Sequence, residues 1–303
     1  EARIVPWGWN PAIRRFFLKG GVRGDRLPSP QLLAEYRLLS SRLQAVAVTQ
    51  RMTDRYPECT CGEHTLLNNI ADCDACLLKV PWSGSGKGLN WCLHGFTKPV
   101  SNWCERVLRE QGCLTAEPIY NKVKDFALEF YSDGQGEVRF AGYSVFSTNE
   151  HGAYTGNLLA SDGQIEESIA CCLSLEKLTG MREALRAELA SIYGNTYTGY
   201  LGVDMMVCRS DKEDGYCVHP CVEINMRMNM GVVARLFYDR FVAPGSKGCF
   251  AVEYVPDNET LRARHEQDMH DYPLTVEQGR LASGYLPLVP VTGKSCYRAY
   301  VRI

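Results

Sequence analysis

The chain has 303 residues, a formal net charge of −2, 45% hydrophobic residues and 22% charged residues. This balance excludes a disordered or fibrous chain, and the near-neutral charge excludes a broad polyanion-binding surface, so an anionic substrate must be held by local groups. No apolar run reaches the ~18–20 residues that a membrane helix needs, and the first ten residues lack the layout of a signal peptide. These features read as a cytoplasmic protein with neither nucleic acid nor membrane as partner. The 14 cysteines are scattered, which suits reduced, partly buried thiols better than a disulfide scaffold. The chain opens on Glu1 and not Met, which reads as processing or as a fragment.

In chain order, a short strand is expected at Arg3 to Trp7, then helices at Pro11 to Lys19 and Pro30 to Arg51. "LLNNIADC" reads as helical, "ACLLKVPW" as a strand ended by Pro81, and the Ser/Gly-rich loop after it as leading into a helix near Leu89 to Leu93. A further helix at Ser101 to Gln111 and a strand near Leu114 follow. Val123 to Tyr131 and Val138 to Phe146 alternate around "SDGQG" as a hairpin, residues 165 to 193 are helical, and 201–208 with 217–228 form a second hairpin around "DKEDG". A helix at Val232 to Phe241 and two strand-like pieces, "GYLPLVPV" and "CYRAYVRI", complete the chain.

Three stretches carry chemistry. "VEINMRMNMG" places Glu223, Asn225, Arg227 and Asn229 at every second position, so as a strand they share one face, opposite Ile224, Met226, Met228 and Met230. Asn is a poor strand former, so this polar face calls for a job other than contact with solvent. On the neighbouring strand Asp204 points away from Leu201, Val203, Met205 and Val207. If the two strands pair, Asp204 approaches Glu223 and Asn225, and together they offer the oxygen ligands that Mg²⁺ prefers. "LLKVPWSGSGKGLNW" delivers Lys79 into a Gly/Ser-rich turn whose backbone N–H groups and lysines suit a polyphosphate. It is not the Walker loop, since Lys87 is followed by Gly88.

The Lys79 strand with its loop, the "EPIYNKVKDF" segment, the Asp204 strand and "EINMRMNMG" resemble the ATP-grasp superfamily, in the right order across about residues 66 to 245. "PWGWNPAIRRFFLKGGV" resembles the entry to that fold in a poorly characterised group whose members carry a fuller N-terminal α/β domain. The resemblance implies an α+β architecture of two α+β lobes with ATP held between them, preceded by a partial N-terminal α/β region. The domains expected are 1–65, the remnant of the N-terminal region and linker; 66–116, a small lobe with the Gly-rich loop; and 117–303, a lobe with the metal site and C-terminal strands.

It further implies that Lys79 meets the α-phosphate and adenine, that Ser83, Gly84, Ser85, Gly86, Lys87 and Gly88 cover the β- and γ-phosphates, and that Glu117, Pro118 and Ile119 frame adenine. Asp204, Glu223 and Asn225 hold two Mg²⁺ ions, and Arg227 steadies the transferred phosphoryl group, with Lys87 beside it as the other catalytic cation. The implied activity is an ATP- and Mg²⁺-dependent ligase that activates a carboxylate as an acyl phosphate and joins it to an amine. A small-molecule kinase on the same fold and a nucleotide-binding protein without turnover are the alternatives. Small-molecule carboxylates and amines are the expected partners, with a homodimer left open. For the acceptor, Arg139, Asn149, Tyr154 and Asn157 are candidates.

Other features invite chemistry with less reason. Cys59, Cys61, Cys73 and Cys76 have two short spacings that a four-thiolate zinc site would use, against a reading as buried or loop thiols. "RHEQDMH" puts His265 and His270 five apart, which does not stack them on a helix face. His219, before Pro220, reads as a turn residue, and the tryptophans read as packing groups, with Trp82 beside the loop a possible nucleotide neighbour.

Overall fold

A computed structural model describes residues 4–67, 75–83, 88–148, 154–211 and 215–303. Its elements are α1 (Pro11–Lys19), α2 (Pro30–Leu39), α3 (Arg42–Arg55), β1 (Thr65–Leu67), β2 (Cys76–Lys79), β3 (Leu89–Cys92), α4 (Lys98–Gln111), β4 (Leu114–Pro118), β5 (Lys122–Asp133), β6 (Val138–Thr148), β7 (Tyr154–Leu159), α5 (Asp162–Ala170), α6 (Leu175–Tyr193), β8 (Thr198–Arg209), β9 (Tyr216–Asn225), α7 (Met230–Phe241), β10 (Gly248–Tyr254), α8 (Asn258–Asp271), β11 (Thr275–Glu277), β12 (Arg280–Ser283), β13 (Tyr285–Pro287) and β14 (Tyr297–Arg302). The chain forms two compact units: residues 1–141 with 172–229, and residues 142–171 with 230–303.

The first unit contains a small antiparallel sheet in the order β1-β4-β2-β3. Its core of Leu78, Val80, Cys92, Leu114 and Ala116 is covered by Cys104 and Val107 of α4. Helix α4 stops at Gly112, which takes the left-handed conformation at φ 84° and closes the last turn onto the Leu108 carbonyl. The larger sheet of this unit runs β6-β5-β8-β9, with β6 continuing into the second unit. The turn joining β5 to β6 is built by Asp133, whose Oδ1 accepts from the backbone N–H of Gln135 at 2.7 Å and of Glu137 at 3.1 Å, with Gly134 at φ 76°. Phe126, Leu128 and Phe130 of β5 and Leu201 and Val203 of β8 are fully buried, as are Leu178, Met181, Leu185 and Leu189 of α6. Each such side chain contributes roughly 1.5–3 kcal/mol relative to exposure. Helix α3 is fastened to β9 by Thr49, whose hydroxyl donates to the Cys221 carbonyl at 2.8 Å.

In the second unit β13, β14, β10 and β7 continue the ladder from the later residues of β6, and β11 pairs with β12. Ser161 and Gln164 cap α5 reciprocally, the Ser161 N–H donating to Gln164 Oε1 at 2.9 Å and the Gln164 N–H to Ser161 Oγ at 3.3 Å. Arg298 of β14 is buried between Glu253 and Asp268, each at 2.6 Å.

Several expected elements differ. Among the described residues, 4–7 are not a strand: Pro6 lacks an N–H for a ladder, and this segment is held instead by the Met228 N–H donating to the Trp7 carbonyl at 2.9 Å. The expected helix from Pro30 to Arg51 breaks at Ser40 and Ser41, where the Ser41 hydroxyl caps α3 by accepting from the Leu43 N–H at 3.3 Å. Residues 89–92 form a strand, not a helix, because β3 folds back on β2 in register Leu78↔Asn90 and Lys79↔Leu89. Of "LLNNIADC", Leu66 and Leu67 lie in β1 and the rest falls outside the described residues. Among the described residues no helix is long and apolar enough to cross a membrane.

Candidate functional site

Strands β5, β8 and β9 lay two rungs of a ladder side by side. One rung is Ala127↔Asp204↔Glu223, the next Glu129↔Gly202↔Asn225. Residues directly opposite, and residues two apart on a strand, share a face. Asp204, Glu223, Asn225 and Glu129 therefore converge on one side of the sheet, while Leu128, Leu201 and Val203 fill the other. Asn225 donates through Nδ2 to Asp204 Oδ2 at 3.0 Å, and Asn229, just beyond the strand, donates through Nδ2 to Glu129 Oε2 at 2.8 Å.

The expected alternation thus holds through Asn225 and then ends. Residues 226–229 leave the strand and α7 begins at Met230, so Asn229 reaches Glu129 from a loop, while the Arg227 guanidinium donates to the Met228 carbonyl at 3.4 Å. The Arg227 charge still acts on Asp204, favouring its ionised form. Glu129 has no counterpart among the residues expected from the sequence. Its signal was the single acid in "FALEFY", on the face opposite Phe126, Leu128 and Phe130.

Burial dominates the electrostatics. It raises the Asp204 carboxyl to about 7, reinforced by Glu223 and opposed by the Asn225 amide and Arg227. It raises Glu129 to about 8, with the Asn229 amide opposing and Asp204 adding repulsion. Buried acids side by side cannot all ionise without a cation, so three carboxylates beside an amide have the donor chemistry that a divalent, oxygen-preferring ion needs. The residues present fit Mg²⁺.

Gly202 makes this crowding possible. A Cβ there would lie 2.3 Å from Asn229 Nδ2 and 2.7 Å from Glu129 Oε2. Gly202→Ala is therefore expected to expel the Asn229 amide from Glu129 and to destabilise the protein by about 1–3 kcal/mol, the cost of an unsatisfied buried polar group. A thermal melt equal to wild type would contradict this packing.

Lys79 lies on β2 opposite Thr115 of β4, beside the Glu117 rung. Only 3% exposed, it forms an ion pair with Glu117 Oε1. Burial lowers the Lys79 pKa, with Glu117 opposing. Burial opposes ionisation of Glu117 too, yet Lys79, His219 and His64 hold its carboxyl well below the usual range. Glu117 is buried, whereas Pro118 and Ile119 are exposed on the segment toward β5.

His219 is not a turn residue: it pairs with Met206 inside β9 and is fully buried. The three residues Pro220 to Val222 between it and Glu223 face only Met205 on β8, a bulge that accommodates proline in a strand.

Arg42, at the start of α3, is a second residue that the sequence did not single out. Its guanidinium donates to the Val80 carbonyl at 3.3 Å and to Ser83 Oγ at 3.2 Å, and lies 3.6 Å from Glu223. One buried cation thus ties the base of the glycine loop to the acidic ladder. The loop closes through the Val80 N–H donating to the Gly88 carbonyl at 3.1 Å, with Gly88 at φ 78°. Gly84, Ser85, Gly86 and Lys87 lie outside the described residues.

Arg139 is exposed on β6 beside Glu137 at 3.6 Å, which is the setting of a surface ion pair. In the second unit Asn157 is buried and occupied, accepting from the Tyr154 hydroxyl at 2.5 Å and donating to Ser144 Oγ at 2.6 Å. Asn149 lies outside the described residues. Trp82 donates its indole N–H to the Arg37 carbonyl at 2.7 Å, and the Arg37 guanidinium lies 4.7 Å from its ring. His265 meets the Tyr285 hydroxyl at 2.9 Å. Of the proposed thiolate set, Cys76 sits in β2 opposite Cys92, Cys61 lies instead against Cys208 and Cys217, and Cys73 is outside the described residues.

No family model matches the chain, and no curated protein does. Solved structures do. The ADP complex of PurK, an N5-carboxyaminoimidazole ribonucleotide synthetase, matches with a TM-score of 0.53 at 10% identity, over 99% of this chain and 76% of that one. The Aspergillus clavatus N5-carboxyaminoimidazole synthase in complex with ADP and 5-aminoimidazole ribonucleotide matches at 0.52 and 12%, over 95% and 73%. The Staphylococcus aureus N5-carboxyaminoimidazole synthetase complexed with ADP matches at 0.50 and 11%, over 86% and 67%. At these identities the likeness is one of fold. The paired acidic strands, the lysine-bearing strand and these matches together identify the chain as a protein of the ATP-grasp fold.

Proposed function

We propose that the protein is an ATP- and Mg²⁺-dependent ligase that phosphorylates a carboxylate and joins the resulting acyl group to an amine. The observation that carries this reading is the acidic ladder: Asp204, Glu223 and Glu129 share one face with Asn225, and burial raises the carboxyls of Asp204 and Glu129. Further support comes from the structures of like fold, which are synthetases bound to ADP.

In this reading Lys79 and the loop from Ser83 to Gly88, Lys87 included, bind the phosphates, and the segment Glu117 to Ile119 borders adenine. Asp204, Glu223 and Asn225 hold the metal, with two ions the expectation. When bound, Mg²⁺ supplies charge neutralisation at the phosphates. Burial raises the Glu129 carboxyl to about 8, above Asp204 at about 7, so Glu129 gives up its proton less readily than Asp204 does. Arg227 adds positive charge beside the ladder, and Arg42 orients Glu223 while holding Ser83 at the loop base. An acceptor carboxylate oxygen attacks the γ-phosphorus, ADP leaves, the amine attacks the acyl carbon, and phosphate departs as the nitrogen loses its proton. Positioning and charge dominate such transfers, so no protein nucleophile is needed.

Incubation with ATP, Mg²⁺ and pooled small carboxylates and amines tests the reading, with ADP, phosphate and an amide expected. A stable phosphorylated acceptor would make it a kinase. Saturable ATP binding with no ADP release would reduce it to a binding protein.

A further inference from the structure

We infer that His64, Glu117 and His219 form a zinc site in the first unit, separate from the acidic ladder. The three side chains bring His64 Nε2, Glu117 Oε2 and His219 Nε2 together, with Glu117 Oε2 at 3.1 Å from His64 and 3.5 Å from His219. Zinc held by nitrogen and oxygen at about 2.0–2.2 Å in a tetrahedron requires donor atoms roughly 3.3 Å apart, and these two separations bracket that value. Two imidazoles and a carboxylate leave a fourth position for water. Imidazole and carboxylate together suit zinc better than magnesium.

The hydrogen bonding is what demands an occupant. The Gly62 carbonyl can only accept, and it lies 2.8 Å from His64 Nδ1, so that nitrogen carries the proton. With Nδ1 so occupied, Nε2 faces a carboxylate oxygen at 3.1 Å, a contact that a positive charge between them, a proton or a metal ion, would satisfy. His219 is fully buried, and neither of its ring nitrogens has a hydrogen-bond partner. Glu117 Oε2 is equally orphaned. Buried polar atoms are nearly always satisfied, and here two orphans, His219 Nε2 and Glu117 Oε2, face each other beside His64 Nε2. The bond from His64 Nδ1 to a backbone carbonyl is also the outer support by which metal-binding histidines are commonly oriented.

Chain placement gives such an ion a task. His64 precedes β1, Glu117 is next to last in β4 and His219 sits in β9, so a shared ion would pin the small sheet to the edge strand of the large one. It would also hold the Glu117 carboxylate by one oxygen while Lys79 keeps the other. The adjacent ammonium weakens the site by repulsion, so its affinity should fall below that of a thiolate zinc site. The rings of His64 and His219 already meet edge to face at 5.3 Å, and Gly62 leaves no room for a side chain, since a Cβ there would lie 2.5 Å from Thr49 Cγ2.

The test uses the full chain, stripped with a chelator and kept reduced, with excess Mg²⁺ to occupy the acidic ladder and no nucleotide, so its result is independent of ligase activity. Zinc is titrated against a chromogenic indicator, and Co²⁺ is added separately as a spectroscopic probe. About one zinc per chain is expected, together with tetrahedral Co²⁺ absorption lacking a thiolate charge-transfer band. His64→Ala should weaken zinc by more than about tenfold, the lower end of what even outer-shell changes cost. His64→Cys should restore binding and add the thiolate band, which keeps the proposal testable if His64→Ala fails to fold. Absence of zinc, equal affinity in the His64→Ala variant, or a thiolate band in the wild type that traces the metal to Cys61, Cys208 and Cys217 would each overturn it.

Discussion

Glu223→Gln is expected to reduce Mg²⁺-dependent ADP release at least about a hundredfold, the upper end of what changes to a mere outer-shell partner cost. Its melting temperature without Mg²⁺ should stay close to wild type. Glu223 is about a third exposed and lies 3.6 Å from Arg42, whose guanidinium keeps its bonds to Val80 and Ser83 and so stays hydrogen-bonded after the substitution. Removing the Glu223 charge also relieves Asp204, whose raised pKa owes its second-largest part to that neighbour.

This carries a pH signature. Asp204 titrates near 7 in the folded chain against an ordinary 3.8, so the fold holds its proton more tightly than the unfolded chain does. Its stabilising contribution is complete below the ordinary value and is lost as pH rises through about 7. A metal must displace that proton at low pH and need not at high pH. Apparent Mg²⁺ affinity should therefore fall by up to about tenfold per pH unit below 7, and flatten above it. In Glu223→Gln any residual dependence should move to lower pH. Mg²⁺ titrations followed by thermal shift between pH 5.5 and 8.5 measure this, and a flat profile in the wild type would remove Asp204 from the ligand set.

The second large effect concerns Lys79. Lys79→Met leaves the buried Glu117 without its ammonium partner, a situation that costs about 3–5 kcal/mol. At roughly 2–4 °C per kcal/mol for a unit of this size, the melting temperature should drop by about 6–20 °C. The double change Lys79→Met with Glu117→Gln removes both charges and should recover more than half of the loss, because the penalty comes from a stranded charge and not from the pair itself. Equal stability of Lys79→Met and wild type would mean that the ammonium does not balance Glu117 in the folded chain.

Legibility in the sequence followed the range of the interaction. The placing of Asp204, Glu223 and Asn225 on one face was legible because period-two alternation is a local property of a strand and the pairing of β8 with β9 follows from their hairpin. The same alternation overshot at residues 226–229, where the strand gives way to a loop before α7; Asn229, of a residue type that favours helix starts over strands, was the local sign of that end. The segment after the glycine loop was misread because four residues, Leu89 to Cys92, carry too little periodicity to separate helix from strand, and pairing with β2 decided it.

The sequence by itself determined the α+β character, the lysine strand and the acid-bearing hairpin, since each depends on neighbours a few residues away. Only the tertiary structure decided that Glu129 joins the ladder across Gly202, that Arg42 links loop to ladder, and that His64, Glu117 and His219 meet. Those residues lie tens to more than a hundred positions apart, and what makes them a site is shared burial, which raises the cost of every unpaired charge and appears only once the chain has folded.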